Sequence, residues 1–128
     1  MAFKKKHPVF LQRLLLLLIF VLAAYLRFFN LNWDEGYFFH PDERNISAAV
    51  SRIEWPAKTD PQFYAYNGLP IFLIEITSQV MATITKSPTW LTDWSKLNLI
   101  GRIFSATFSL LSVVLIYLLS KKVFRRPQ

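Results

Sequence analysis

The sequence predicts an all-α integral membrane protein in which two transmembrane helices are joined by a long extracytoplasmic loop bearing short interfacial helices. Two observations carry this expectation. Of 128 residues, 53% are hydrophobic and 16% aromatic, too apolar for an ordinary soluble domain. Charge is also segregated: all eight acids lie between Asp34 and Asp93, while Lys4, Lys5, Lys6 and Arg13 gather at one end and Lys121, Lys122, Arg125 and Arg126 at the other. Basic residues flanking apolar helices mark the cytoplasmic side, because translocating them is disfavoured. A multi-pass cell-membrane protein with both termini cytoplasmic follows.

The net charge of +7 does not indicate nucleic-acid binding. Seven basic residues from Arg27 to Arg102 nearly cancel the eight acids, so the excess is terminal. It reads as a topology signal that also touches anionic lipid. The absence of cysteine excludes a disulfide scaffold and a thiolate metal site.

Residues 1–9 form a basic cytoplasmic N-terminus, and 10–29 the first span. Its stretch from Leu14 to Leu26 carries no charge, and roughly 20 residues at 1.5 Å each cross a hydrocarbon core of about 30 Å. Tyr25-Leu26-Arg27-Phe28-Phe29 follows the apolar run where a signal peptide would show small residues, so the span is expected to stay uncleaved. Residues 30–98 form the outer loop. Within it, 41–54 predicts a helix with Ile46, Ala49, Val50 and Ile53 on one side, stopped by Trp55-Pro56.

Residues 69–85 read as a second loop helix, lying along the interface. Glu75, Ser78, Gln79, Ala82 and Lys86 share one side, and Leu73, Ile76, Val80 and Ile84 the other. Crossing the bilayer would send the Lys121 to Arg126 cluster outside and bury Glu75 near the centre at about 3 kcal/mol. The second span is then 99–120, where Ser105, Ser109 and Ser112 form a small polar face suited to close packing. Residues 121–128 are a basic cytoplasmic tail.

Chemistry concentrates just past the first span, where Asp34-Glu35 and His40-Pro41-Asp42-Glu43 crowd four carboxylates into one short stretch. A local reading is open: proline suits the first helical position and acids the first turn, where they meet the positive dipole end. The functional reading assembles these acids with Arg27 and Arg102 at one membrane face, to handle an anionic lipid-linked substrate. Arg27 and Arg102 either clamp a lipid phosphate or pair with loop acids. His40 with Asp42 or Glu43 falls short of a closed metal site. Tyr64, Tyr66 and Asn67 either line an acceptor groove or pack on the bilayer, and Trp33, Trp55, Trp90 and Trp94 read as interface anchors. Asn45-Ile46-Ser47 fits the glycosylation pattern.

In order, Leu26-Arg27-Phe28-Phe29-Asn30-Leu31, His40-Pro41-Asp42-Glu43, Asp60-Pro61-Gln62-Phe63-Tyr64-Ala65-Tyr66-Asn67-Gly68-Leu69-Pro70 and Gly101-Arg102-Ile103-Phe104-Ser105-Ala106 resemble the N-terminal part of bacterial membrane glycosyltransferases of the GT-C type. These are related to protein O-mannosyltransferases and to the lipid A aminoarabinose transferase. The resemblance implies an enzyme that takes a sugar from a polyprenyl-phosphate carrier and places it on a lipid, glycan or protein acceptor at the extracytoplasmic face. It implies that an acid of the first outer loop is the base: Asp42, with Glu43 as support or alternative, and the pair Asp34 and Glu35 ranked second. Arg27, His40, Arg102 and Tyr66 would bind substrate, and a divalent cation is left open. Such enzymes have many more spans, so the chain is expected to be an N-terminal fragment, inactive alone and partnered by further transmembrane helices. The alternative is a small two-span membrane scaffold that catalyses nothing.

Overall fold

The computed structural model describes residues 9–124. Among the described residues five helices follow one another: α1 (Val9–Phe28), α2 (Pro41–Val50), α3 (Gly68–Thr85), α4 (Thr89–Thr92) and α5 (Trp94–Val123). Among the described residues the β-structure is limited to an isolated bridge between Glu54 and Lys58. Helices α1, α3 and α5 are each long and apolar enough to cross a membrane.

Leucine-rich α1 has strong intrinsic helix formers and ends on Arg27, a cation where the carbonyl end of the dipole favours one. Leu15, Leu17, Leu18, Ile19, Val21 and Leu22 all lie exposed on it. A helix apolar around its circumference suits a hydrocarbon surround. Asp93 starts α5, its carboxylate accepting from the Ser95 amide at 3.0 Å and its carbonyl from the Lys96 and Leu97 amides. That cap begins α5 at Trp94, ahead of the expected start at 99.

The chain forms two compact units, one of residues 30–104 and one of residues 1–29 with 105–128. The first has a core of Ala49, Val50 and Ile53 from α2 and its exit turn, Ile71 and Ile74 from α3, and Leu97 and Ile100 from α5. Each of the Val, Ile and Leu side chains contributes about 1.5–3 kcal/mol of burial. Close approach of α3 to α5 depends on Gly101, where an added Cβ would lie 3.2 Å from Ile74 Cδ1. Ile53 reaches this core although α2 stops at Val50, because a turn closed by the Ile53 amide on the Val50 carbonyl folds it inward.

Helix α3 turns toward the protein core the side that carries its polar residues. Ile71, Ile74, Glu75 and Ser78, at i, i+3, i+4 and i+7, are buried in the protein, while Ile76, Val80 and Ile84 are exposed. The Glu75 carboxylate accepts from Gln79 Nε2 at 2.8 Å, and Ser78 Oγ donates to the Glu75 carbonyl at 2.8 Å. Glu75 is therefore sheltered by its own helix and the core. These contacts lower the cost assigned to it in lipid, and the charge at the chain ends argues against a crossing independently.

Candidate functional site

Within the unit of residues 30–104 the acids cluster around one cation. Arg102, in the first third of α5, donates from Nη1 and Nη2 to the two Asp34 oxygens at 2.9 and 2.7 Å. It donates from Nε and Nη2 to the two Glu43 oxygens at 2.9 and 2.6 Å. Nη1 also reaches the Leu31 carbonyl at 2.8 Å, and the guanidinium carbon sits 5.2 Å from the centre of the Trp33 ring. Only the planar fork of arginine can serve two carboxylates bidentately in this way. Asp34 is 3% exposed. Its hydrogen bonds from Arg102 hold its carboxyl below the usual carboxylate range despite the opposing effect of burial, and the Gly36 amide adds to the lowering.

The turn that delivers Asp34 needs left-handed backbone at Glu35 (φ 48°) and Gly36 (φ 88°). The Tyr37 amide closes it on the Asp34 carbonyl at 2.8 Å. Glu35 is exposed. Asp34 and Glu35 are adjacent in sequence, yet the structure separates them into a buried ion-pair member and a surface residue.

Glu43 and Asp42 are separated likewise by the first turn of α2. Pro41 occupies the first helical turn and His40 is the N-cap, its Nδ1 accepting from the Asp42 amide at 3.3 Å. That acceptor role places the ring proton of neutral His40 on Nε2. Glu43 turns to Arg102, whereas half-buried Asp42 accepts the phenol proton of Tyr66 at 2.7 Å on Oδ1. The phenol is held protonated above its usual range, chiefly by this bond. Tyr66 is 5.5 Å from the Phe63 ring, and a parallel pair stands nearby in sequence, with Tyr64 donating to Asp60 at 2.5 Å.

The structure thus brings together Arg102, Asp34 and Glu43, and separately His40, Asp42 and Tyr66, with α2's first turn common to both sets. Arg27 belongs to the other unit, where it donates to Ser109 Oγ at 2.6 Å and to the Ala23 carbonyl at 3.1 Å. Ser109 was legible only as part of a packing stripe. Trp33, expected as an interface anchor, covers the Arg102 guanidinium. Ser47 and Asn98, buried and joined at 2.5 Å, were not anticipated. In the Asn45-Ile46-Ser47 pattern Asn45 is exposed and Ser47 is buried. No protein-family model, curated protein or solved structure matches this chain.

Proposed function

We propose that this chain is the N-terminal catalytic-loop portion of a membrane glycosyltransferase of the GT-C type. The substrate is a sugar on a polyprenyl-phosphate carrier, and the acceptor is an extracytoplasmic lipid, glycan or protein. The reading has spans at 10–29 and 99–120, the segment between them outside, and both termini cytoplasmic. Asp42 is the base, with Glu43, Asp34 and Glu35 the other acids considered.

One observation carries this choice. Arg102 neutralises Asp34 and Glu43 through both oxygens of each, whereas Asp42 has a hydroxyl on one oxygen at 2.7 Å. A general base must lie within about 2.6–3.2 Å of the proton it takes, and the Tyr66 phenol has the relation to Asp42 that an acceptor hydroxyl would take. The acceptor oxygen then forms its bond to the anomeric carbon as the bond from that carbon to the carrier phosphate breaks. The proton passes to Asp42 and the electron pair leaves with the polyprenyl phosphate. Tyr66 and His40 position the carboxylate; Arg102 fixes α2 beneath it.

The test uses the multi-span polypeptide that this reading requires, with a polyprenyl-phosphate sugar. Asp42→Asn keeps the helix start and removes the proton acceptor, so transfer is expected to fall by about 100-fold or more. If Asp42 only favours the helix dipole, the change costs about 0.3–1 kcal/mol and turnover stays nearly intact. A dead Asp34→Asn enzyme that remains folded, beside an active Asp42→Asn enzyme, would move the role to the upstream pair.

A further inference from the structure

The unit of residues 1–29 and 105–128 contains a feature that the proposed chemistry does not use. Between α1 and α5 lies an apolar groove of about 520 Å³, lined by Leu16 and Phe20 on α1 and by Val113, Val114 and Tyr117 on α5. Its charged lining residue is Arg13. The two helices are tied elsewhere by Arg27 on Ser109, fourteen positions along α1, or about 21 Å at 1.5 Å per residue. The groove therefore opens on the far side of Phe20 from that tie.

The charge of this unit is one-sided. It contains nine Lys and Arg residues and no Asp or Glu, since all eight acids fall within residues 30–104. Among the described residues of this unit there is no Asp or Glu to pair with Arg13, and Lys121 follows Tyr117 by one helical turn, so a second cation neighbours the same wall. An apolar slot flanked by unmatched cations suits an amphiphile, with hydrocarbon in the slot and an anion on the guanidinium. Arginine binds phosphate through two parallel donors. In a bilayer an acyl chain meets the apolar walls, and a lipid phosphate at the headgroup level gives the guanidinium its counter-ion.

We propose that the α1–α5 groove binds an anionic phospholipid, one acyl chain lying between Leu16 and Val113 and the phosphate on Arg13. The site is independent of glycosyl transfer, so its failure and that of the catalytic reading are read separately.

The test is native mass spectrometry of the purified 128-residue chain, loaded in detergent with equal phosphatidylglycerol and phosphatidylcholine. The chain is expected to retain phosphatidylglycerol in preference by about 10-fold, the factor for one charge-assisted contact. Arg13→Gln should abolish the preference and Arg13→Lys keep part of it. Val114→Phe, which fills the slot without touching charge, should reduce retention of phosphatidylglycerol while circular dichroism stays unchanged. Excess glycerol 3-phosphate should not displace the lipid. Equal retention of the two lipids, a preference that survives Arg13→Gln, undiminished retention in Val114→Phe, displacement by glycerol 3-phosphate, or a lipid-free dimer would each overturn the proposal.

Discussion

Arg102 shows how one residue can decide the state of several others. Its guanidinium meets four carboxylate oxygens and a carbonyl, so Arg102→Gln leaves Asp34 buried beside Glu43 with no cation. Removing one member of a buried ion pair typically costs about 3–5 kcal/mol. A fall in the thermal midpoint of the detergent-solubilised protein is expected, larger than that from Arg44→Gln on the exposed side of α2. The pH dependence follows from Asp34, whose carboxyl lies lower in the folded protein than in the unfolded chain. Such a group adds stability above its unfolded value, about 3.9, and loses it as pH falls through the lower folded value. Thermal midpoints measured from pH 7 down to pH 3 should therefore drop on the acid limb, and the limb should flatten in Asp34→Asn. Tyr66 provides the opposite sign. Its phenol is held protonated above the usual range by Asp42, so in Asp42→Asn the tyrosinate absorbance of this residue, isolated by difference from Tyr66→Phe, should appear at lower pH.

At the scale of elements, helix existence followed from composition and periodicity, and helix ends followed from capping. The apolar run of α1 and the Pro41 start of α2 are explicit in the sequence, because charge-free length and a proline at a first turn each have one economical reading. The start of α5 was harder to read. Asp93 is one acid among polar residues, and its cap becomes visible only when the Ser95, Lys96 and Leu97 amides converge on it. The pairing of Arg102 with loop acids was one of two readings open in the sequence; the choice of Asp34 and Glu43 was not. Adjacent acids are alike on paper, and the left-handed turn at Glu35 and Gly36 and the helical turn at Asp42 and Glu43 send neighbours in different directions. The face of α3 was legible as a set of residues but not in its orientation, since polar residues pointing inward beside Ile71 and Ile74 require the rest of the core. A test at this scale is Gly101→Val. Its Cβ would meet Ile74 Cδ1 at 3.2 Å before its methyl groups are placed, and overpacking of this kind costs about 1–3 kcal/mol. The thermal midpoint should fall, with partial recovery in Gly101→Val/Ile74→Ala, where space is returned at the same contact.

For the whole molecule, the main open quantity is the number of crossings, because an odd and an even count put the basic tail on opposite sides. Three helices meet the length and composition of a span, and the shelter around Glu75 weakens the charge in α3 as an argument against a third. What distinguishes the cases is the chain-end charge. Lys4, Lys5, Lys6 and Arg13 precede or enter α1, and Lys121, Lys122, Arg125 and Arg126 close or follow α5; two crossings keep both groups in the cytoplasm, while three export one of them against the orientation preference. The chain has no cysteine, so single cysteines at Ser87 and Gln128 report location without background. In intact cells an impermeant maleimide is expected to label Ser87→Cys and to spare Gln128→Cys until the membrane is opened. Labelling of Gln128→Cys in intact cells would move the basic tail outside, make α3 a true span, and place Asp42 and Ser87 on different sides of the bilayer. Asp42 and Tyr66 precede α3 and would remain together on one side, but Arg102, which holds Glu43 and Asp34, would then belong to a helix that starts on the other side.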